Sequence, residues 1–409
     1  MGSQTGPSCL AVGLAKNYSI FVIEHKPVCN RTLPMFLHII SFDIPYPANY
    51  GGVIVIFNQI KALHAEGVKI LLHCFQYGDR QPQTELEKYC QEVYYYPRSR
   101  SPFYQIHLLP FIMRTRAKRA LIKRLRKDQH PILFQGMHTS ALVWHKRFRA
   151  RQKLVQMHNI EWQYYESLAQ LTPPARVFQK LYYFIESIKL QRIEPKVVLH
   201  ADEIITISTN DEAYYREMKA NTHYIAAFHA NQAVESLPGR GQYMLYHGKL
   251  SVPDNERAAI WLIEEVGSKM DVPFLVAGME PSPELRALIA RYDHIELVEN
   301  PDERRMQDLI AKAHINLLVS FQVSGIKLKL LNALFQGRFC IVNDEMVSGT
   351  GLAKLCYVRN SGPAIRQTIE ALINAPFEPG RAEERRALLE ADFSNAANAR
   401  KFMELIKFQ

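Results

Sequence analysis

Short runs of apolar residues alternate with longer segments of helical periodicity along most of this 409-residue sequence. Continuous apolar strands joined by helical crossovers are typical of parallel sheets that are covered on both faces. We therefore predict an α/β protein built as two Rossmann-like domains that face each other across a cleft. The predicted strands are 36–42, 68–75, 93–96, 131–135, 153–157, 203–207, 243–247, 273–277, 295–298, 314–319 and 339–342. The helical patterns include 53–65, 161–170, 174–200, 209–218, 254–266, 304–312 and 362–374.

The alternation weakens near residues 230–241, which are rich in small residues and turn formers, so the interdomain boundary is placed there. A chain of this length is too long for one ordinary domain. The first domain is predicted to span 35–230 and the second 231–390, with a helix in 391–409 crossing back to the first. Residues 1–34 mix Gly, Ser, Pro and Cys before an abrupt strand start. They are predicted to be a disordered extension, with an ordered extra strand as the alternative.

Basic residues are concentrated in one segment. The net charge is +10, and residues 98–127 alone contain ten Lys or Arg, no Asp or Glu, and eight large apolar residues. Apolar residues beside cations are typical of a surface that lies on an anionic membrane, so we predict a peripheral protein on the inner face of the membrane. No nucleic-acid partner is expected. The alternative is that the apolar residues face the domain core and the cations are merely solvated.

The cysteine content and the motifs that are absent limit the cellular compartment and the kinds of cofactor that we expect. The six cysteines form no C-x-x-C pair and no metal-ligand spacing, which fits a reducing, cytoplasmic setting. No run approaches the roughly 18 apolar residues of a membrane-spanning helix. The sequence contains no D-x-D, H-E-x-x-H or P-loop motif, so neither a metal nor a cofactor is expected.

Candidate chemistry lies where open α/β sheets bind their ligands, beyond the carboxyl ends of the strands. Residues 325–337 are predicted to form a loop, a helix and a glycine stop before the strand at 339–342. Lys327 and Lys329 lie near the helix start, where unpaired N–H groups attract phosphate. Two solvated lysines are the alternative, but the position before a strand of the second domain favours a diphosphate site. The other candidates that follow strands are Gly51, Gly52, His138, His158, Asn159, Glu161, Gly248 and Lys249.

In this order and placement, the Gly51-Gly52 loop, the two histidines, residues 248–251 and residues 325–337 resemble a GT-B fold retaining glycosyltransferase of the family-4 type. The resemblance implies that the second domain binds a UDP- or GDP-linked sugar and that the first binds the acceptor. It also implies that His138 and His158 are the catalytic residues and hold the sugar or the acceptor, with Asn159 and Glu161 as further contacts. The diphosphate contacts that it implies are Gly51, Gly52, Gly248, Lys249, Gly325, Ile326, Lys327 and Lys329.

The sequence departs from that family at the donor-site loop and helix. Many relatives carry an E-x7-E pair of glutamates there, and the matching positions here are Ser324 and Asn332. The pattern Gly-x-Lys-x-Lys-Leu-Leu resembles a subgroup in which lysine contacts the phosphate. Ser324 and Asn332 suggest, as one alternative, a basic GT-B interaction protein that has lost catalysis. The other alternative is a non-hydrolysing nucleotide-sugar epimerase, which shares the two-domain architecture but would need carboxylates in the cleft.

The resemblance predicts a metal-independent hexosyltransferase that acts on a glycan or lipid-linked acceptor in surface polysaccharide assembly. Glycosyl transfer passes through a sugar cation-like state while a nucleoside diphosphate departs. Without a metal, Lys249, Lys327, Lys329 and helix N–H groups would stabilise the departing charge. The donor phosphate itself would take the acceptor proton, so that no protein base is needed.

Overall fold

The computed structural model describes residues 35–99, 101–172, 174–322, 325 and 327–408. The predicted extension at 1–34 lies outside these residues, as do the candidate site residues Ser324 and Ile326. Residues 34–409 form one compact unit.

The first sheet contains β1 (Phe36–Ser41), β2 (Lys69–Gln76), β3 (Glu92–Pro97), β4 (Ile132–Gln135), β5 (Lys153–Met157), β6 (Glu203–Thr206) and β7 (Thr222–Tyr224). Over the described residues these strands pair in parallel in the order β3-β2-β1-β4-β5-β6-β7. The strand order reverses between β1 and β4, and the carboxyl ends of these two strands therefore form a topological switch point.

The second sheet repeats this arrangement. Its strands are β8 (Met244–Lys249), β9 (Phe274–Met279), β10 (Ile295–Glu299), β11 (Ile315–Leu318), β12 (Phe339–Val342) and β13 (Tyr357–Val358), in the parallel order β10-β9-β8-β11-β12-β13. The switch point lies between β8 and β11. The predicted α/β class with two Rossmann-like sheets is confirmed. Only β7 and β13 were not predicted, because strands of three and two residues are too short to show a period.

Helices connect the strands and cover both sheets. They are α1 (Gly51–Ala65), α2 (Phe111–Arg114), α3 (Arg119–Leu125), α4 (Gly136–Thr139), α5 (Glu161–Leu171), α6 (Val177–His200), α7 (Thr209–Met218), α8 (Pro253–Glu265), α9 (Pro283–Ile289), α10 (Glu303–Lys312), α11 (Leu328–Gln336), α12 (Asp344–Val347), α13 (Gly362–Leu372), α14 (Pro379–Asp392) and α15 (Asn395–Glu404). Short 3-10 helices include Pro102–Gln105.

Side chains of β1 alternate between two cores. Leu37 and Ile39 pack with Ile56 of α1 on one face, whereas Ile40 packs on the other with Phe134 and residues of α6. The last helix, α15, joins the first of these cores, because Phe402 and Ala399 are fully buried beside β1 and α1. The end of the chain therefore packs on the first domain.

The basic segment 98–127 is divided between core and surface. Ile112, Met113, Leu121 and Leu125 are buried in the core of the first domain, and Arg116 is only 5% exposed. These residues are not available to a membrane, which corrects the expectation for this part of the segment. The physical reason is that α2 and α3 are short helices whose apolar sides cover the sheet.

Two buried histidines form a hydrogen-bonded row inside the first sheet. His38 Nδ1 lies 2.8 Å from His73 Nε2, and His73 Nδ1 lies 2.9 Å from the Tyr96 hydroxyl. The other ring nitrogen of His38 lies 3.0 Å from Asp128, which also accepts from Arg151. Burial lowers the pKa of His38 and holds the pKa of His73 well below its ordinary value. Both rings are therefore neutral in the folded protein at neutral pH.

We predict that this row makes the protein labile to acid. The unfolded chain takes up protons on these histidines below about pH 6.5, whereas the folded chain resists protonation, so the stabilisation is complete above that pH and is lost as the pH falls. The slope is about 1.4 kcal/mol per pH unit for each proton. Urea unfolding of His73→Gln between pH 7 and 5 should show a shallower pH dependence than the parent protein. The exposed His107→Gln is the matched control, and parallel curves for the parent and His73→Gln would contradict the assignment.

Candidate active site

The switch point of the second sheet holds the ammonium group of a half-buried lysine. Lys329, in the first turn of α11, donates to Asn255 Oδ1 at 2.9 Å, to the Tyr246 hydroxyl at 3.3 Å and to the Val319 carbonyl at 3.4 Å. Tyr246 belongs to β8 and Val319 follows β11, so the ammonium lies between the carboxyl ends of the two strands. Burial lowers the pKa of Lys329 to about 8; nearby Asp254 opposes this shift, and Lys327 adds to it.

Lys327 immediately precedes α11 and shares this environment. Burial lowers its pKa to about 8, and the carboxylates of Asp254 and Asp211 oppose the shift. Asp254 is fixed by the hydroxyl of Ser320 at 2.8 Å and the N–H of Phe321 at 2.8 Å. The α11 N-terminus carries no side-chain cap and no acidic residue in its first turn. Both lysines and the N–H groups of this helix therefore bring positive potential to the switch point.

Gly325 joins this loop to the first domain. Its φ is +71°, and a Cβ at this position would lie 2.1 Å from Asn159 Oδ1 and 2.9 Å from the His158 carbonyl. Only glycine accommodates both the left-handed backbone and this approach. Asn159 thus lies against the loop before α11, and the turn after β5 is brought to the switch point of the second sheet.

The Gly51-Gly52 start of α1 lies across from Lys249. Lys249 Nζ is 5.9 Å from the centre of the Tyr50 ring, which precedes α1, and 3.5 Å from Glu280. The α1 N-terminus has no side-chain cap and no acidic residue in its first turn. Gly52 is required by packing, because its Cβ would lie 2.5 Å from the Phe42 ring. A second helix N-terminus, from the first domain, and a third lysine, from the second domain, are therefore brought together.

The two predicted histidines are brought together on the first-domain wall. Phe42 packs against both rings, with centroid distances of 5.0 Å to His138 and 5.5 Å to His158. His158 Nε2 lies 2.9 Å from Gln135 Oε1, and burial lowers its pKa to about 4. Nδ1 of His138 is buried without a hydrogen bond in the described part of the chain.

Glu161, predicted as an acceptor or sugar contact, begins α5 beside His138. Its Oε1 lies 3.8 Å from His138 Nε2. Burial, with a contribution from Glu194, raises the pKa of Glu161 to about 8, and burial with Arg116 lowers that of His138 well below its usual range. At neutral pH this wall therefore presents an uncharged carboxyl beside an uncharged imidazole, both of which can bond sugar hydroxyls.

Several buried charged residues near the site were missed by sequence reasoning. Asp43 accepts from Tyr50 at 2.7 Å and so shapes the loop before α1. Asp211, on α7, is fully buried near Lys327, and burial raises its pKa to about 7. Burial likewise raises the pKa of Glu194 to about 7. Asp43 directly follows the first strand and was detectable by that placement, whereas Glu194 and Asp211 lie in helices and gave no such signal.

Arg116 was counted among the surface cations and is instead part of the core beside the site. Its Nε donates to the Phe42 carbonyl at 2.9 Å, and one Nη donates to the Ile112 carbonyl at 2.9 Å. Burial lowers its pKa to about 9. The guanidinium thus anchors the residue that packs on both histidines.

Asn332, the position that matches a family glutamate, serves the interdomain connection. Its Oδ1 accepts from Asn231 at 3.0 Å, and Asn231 in turn accepts from Gln336 at 2.6 Å. Gly248, the remaining predicted phosphate contact, packs against Asn255, with 3.2 Å from its ideal Cβ to Asn255 Cγ.

Across the described residues, no group of three or more His, Cys, Asp or Glu side chains is arranged to hold a metal ion. The helices of the same residues include none long and apolar enough to cross a membrane.

We predict that Arg116→Met lowers the free energy of unfolding by about 3–5 kcal/mol, because two buried carbonyls lose charged donors. The matched variant Arg119→Met, at an exposed cation three residues away, should change it by less than about 0.5 kcal/mol. Urea unfolding followed by circular dichroism measures both. Equally small changes in the free energy of unfolding for both variants would show that Arg116 is a surface cation and not part of the core.

The comparisons with known proteins agree with this geometry. Residues 241–374 match the family described as glycosyl transferases group 1. An uncharacterized 44.6 kDa protein in the cps region of Klebsiella pneumoniae is 26% identical over 329 residues, which cover 76% of this chain and 84% of that protein.

Solved structures with the same fold extend over nearly the whole chain. HepE of Anabaena, in complex with UDP and glucose, has a TM-score of 0.60 at 13% identity and covers 90% of this chain and 98% of its own. TarM has a TM-score of 0.65 at 9% identity, with coverage of 91% and 98%. A glycosyltransferase from Rickettsia africae has a TM-score of 0.59 at 13% identity, with coverage of 91% and 98%. The chain therefore has the GT-B fold, and residues 241–374 of its second domain are similar to the group 1 glycosyltransferases.

Proposed function

We propose that this protein is a retaining glycosyltransferase that moves a sugar from a UDP- or GDP-linked donor to a glycan or lipid-linked acceptor in surface polysaccharide assembly. One observation carries the proposal: the Lys329 ammonium is held at the switch point between β8 and β11. Lys327, Lys249 and two uncapped helix N-termini surround the same space. Such an arrangement fits a diphosphate, whose charge it would neutralise.

The two half-buried lysines, Lys327 and Lys329, are suited to a departing diphosphate. Two of the Lys329 hydrogen bonds are long, at 3.3 and 3.4 Å, so an anionic oxygen can replace them at little cost. Charge that develops on the leaving group would meet ammonium groups already fixed in position, which lowers the barrier without reorganisation. No step in this account requires a metal.

The first-domain wall would hold the reacting hydroxyls. His138 Nδ1 and the protonated Glu161 carboxyl are uncharged groups that orient an acceptor or a sugar without attracting the donor phosphate. The donor phosphate would then take the acceptor proton, so the imidazoles serve positioning rather than general base catalysis. The low pKa values of both histidines support this division, because neither ring carries charge at neutral pH.

The genomic description of the Klebsiella relative supports a capsule-type product, since cps designates its region. The UDP complex of HepE supports a nucleotide-sugar donor. Incubation with UDP- and GDP-sugars, with and without acceptor extracts, tests the proposal by the sugar released. Interconversion of the donor sugar without release would favour an epimerase, and binding without turnover would favour an inactive GT-B protein.

We predict that Lys329→Ala slows transfer by about 10²–10³ and weakens binding of the nucleoside diphosphate, the scale of losing one preorganised charge stabiliser. Lys327→Ala should have a smaller effect, because Asp211 and Asp254 share its charge. Lys312→Ala, at an exposed lysine of the same domain, is the control. Calorimetric titration with UDP and GDP gives the affinities, and normal values for both site variants would contradict the diphosphate assignment.

Binding of the nucleoside diphosphate should also weaken as the pH rises through about 8. Both lysines have pKa values near 8 in the folded protein, and only their charged forms attract the anion. Affinity should be constant below about pH 7 and fall towards pH 9, and the fall should be smaller in Lys329→Ala. Titrations at pH 6.5, 7.5, 8.5 and 9.0 measure this. A flat profile would show that the lysines do not contact the diphosphate.

A further inference from the structure

Exposed apolar side chains are concentrated in two segments of the first domain. Phe178 is 90% exposed, Leu108 87% and Ile106 83%, values that are unusual for such residues. We call this set the docking face; its members are Phe103, Ile106, Leu108, Val177, Phe178, Leu181, Phe184 and Ile185. Among the described residues, the other exposed large hydrophobic side chains are Tyr77, Leu199 and Leu237.

The two segments of the docking face adjoin each other. Lys189 of α6 donates to the Gln105 carbonyl at 2.6 Å. The N–H of Phe111 donates to Glu186 of α6 at 2.6 Å, and the rings of Phe111 and Tyr182 lie 6.3 Å apart. The loop at 103–108 is thereby fastened to the N-terminal half of α6, so their apolar side chains form one surface.

The spacing on α6 is that of a helix face made to be covered. Val177, Leu181, Phe184 and Ile185 follow the i, i+4, i+7, i+8 pattern of a buried stripe, yet all four are more than 40% exposed. The opposite side of the helix already packs in the core through Leu190 and other residues. A contiguous apolar surface of this kind marks an interaction site.

Charge identifies the partner. Residues 98–127 contain ten Lys or Arg, of which Arg116 is buried, and no acid; residues 174–192 add Arg176, Lys180, Lys189 and Arg192. The single acid of that second stretch, Glu186, is buried and bound to Lys189 and to the N–H of Phe111. A second copy of the chain would bring the same positive charge to this face and be repelled. Nucleic acid would match the cations but leave the aliphatic side chains without contacts.

We propose that the docking face inserts into the interface of an anionic lipid bilayer, with the surrounding cations on the lipid headgroups. A bilayer offers both a negative surface and an apolar layer directly beneath it. The proposal differs from the sequence expectation, since the inserted residues are 103–108 and the first turns of α6 rather than the whole of 98–127. It accounts for an exposed helical stripe that the sequence pattern alone assigns to a core.

The docking face continues towards the candidate site. Tyr182 and Tyr183 of α6 contact Tyr165 of α5, with 5.8 Å between the rings of Tyr165 and Tyr183. The same helix α5 begins at Glu161, beside His138. Resting on the proposed function, this places a lipid-linked acceptor at the first-domain wall while its lipid stays in the membrane.

Vesicle sedimentation tests the apolar part of the docking face. The full chain should pellet with phosphatidylcholine vesicles that contain 30% phosphatidylglycerol. The combined variant Phe103→Gln, Ile106→Gln, Leu108→Gln and the variant Phe178→Gln, Leu181→Gln should each lower partitioning at least about tenfold. The control Leu199→Gln, Leu237→Gln removes apolar groups that are 67% and 48% exposed elsewhere on the surface, and it should leave partitioning unchanged. Because all these side chains are exposed, thermal melting should be unaffected.

The contribution of the cations around the docking face is tested separately. Arg176→Gln with Lys180→Gln should lower partitioning about fivefold for each cation, and 0.5 M salt should lower it further. Arg291→Gln with Arg304→Gln, exposed cations of the second domain, is the matched control.

Equal pelleting with pure phosphatidylcholine, no pelleting with either vesicle, or equal losses in the control variants would overturn the proposal. So would self-association through this face in sedimentation velocity or tighter binding to an oligonucleotide. UDP and GDP titrations of the docking-face variants should remain normal, so failure here leaves the proposed function standing.

Discussion

The structure depends on keeping charged ammonium groups at the switch point of the second sheet. Desolvation disfavours these charges, as the lowered pKa values of Lys327 and Lys329 show. The side chain of Asp254 lies nearby and is fixed by hydrogen bonds from the Ser320 hydroxyl and the Phe321 N–H. Hydrogen bonds to Asn255, Tyr246 and Val319 hold Lys329 between β8 and β11. An anionic ligand would stabilise these partly desolvated ammonium groups more than a neutral ligand could, because its negative charge offsets their loss of hydration.

The same loop also joins the two domains. Gly325 lies against Asn159, and Leu328, the first residue of α11, packs with Val55, Ile207 and Ala227 of the first domain. A second contact fastens the turn before Gly349 to α7, through the hydrogen bond from the Thr209 N–H to the Gly349 carbonyl at 3.0 Å. Gly325 and Leu328, on either side of Lys327, are therefore both in contact with the first domain.

Sequence reasoning recovers what periodicity and strand order determine. The strands of both sheets other than β7 and β13, the placement of Lys329 at a strand end and the pairing of His138 with His158 follow from apolar runs and from the rule that ligands bind at carboxyl ends. It fails where the answer depends on which partner a side chain meets. Arg116 sits in a basic run like any surface cation, yet it bonds two backbone carbonyls. The stripe on α6 has a core pattern and remains exposed, because nothing in a single helix says whether a partner covers it.

The two walls of the cleft are electrostatically different. In the proposed function, this difference would decide which wall contacts the diphosphate and which contacts the hydroxyls. The second domain supplies Lys249, Lys327 and Lys329, whereas the first presents His138 and Glu161 in their uncharged forms. Charged donors on the acceptor side would compete for the diphosphate, and a charged carboxylate would repel it. Burial avoids both the competing positive charge and the repelling negative charge. Desolvation lowers the pKa of the imidazole, which stays unprotonated, and raises the pKa of the carboxyl, which keeps its proton. In the proposed function, recognition of hydroxyls and recognition of phosphate would thereby be separated, although the two domains meet at the contact between Gly325 and Asn159.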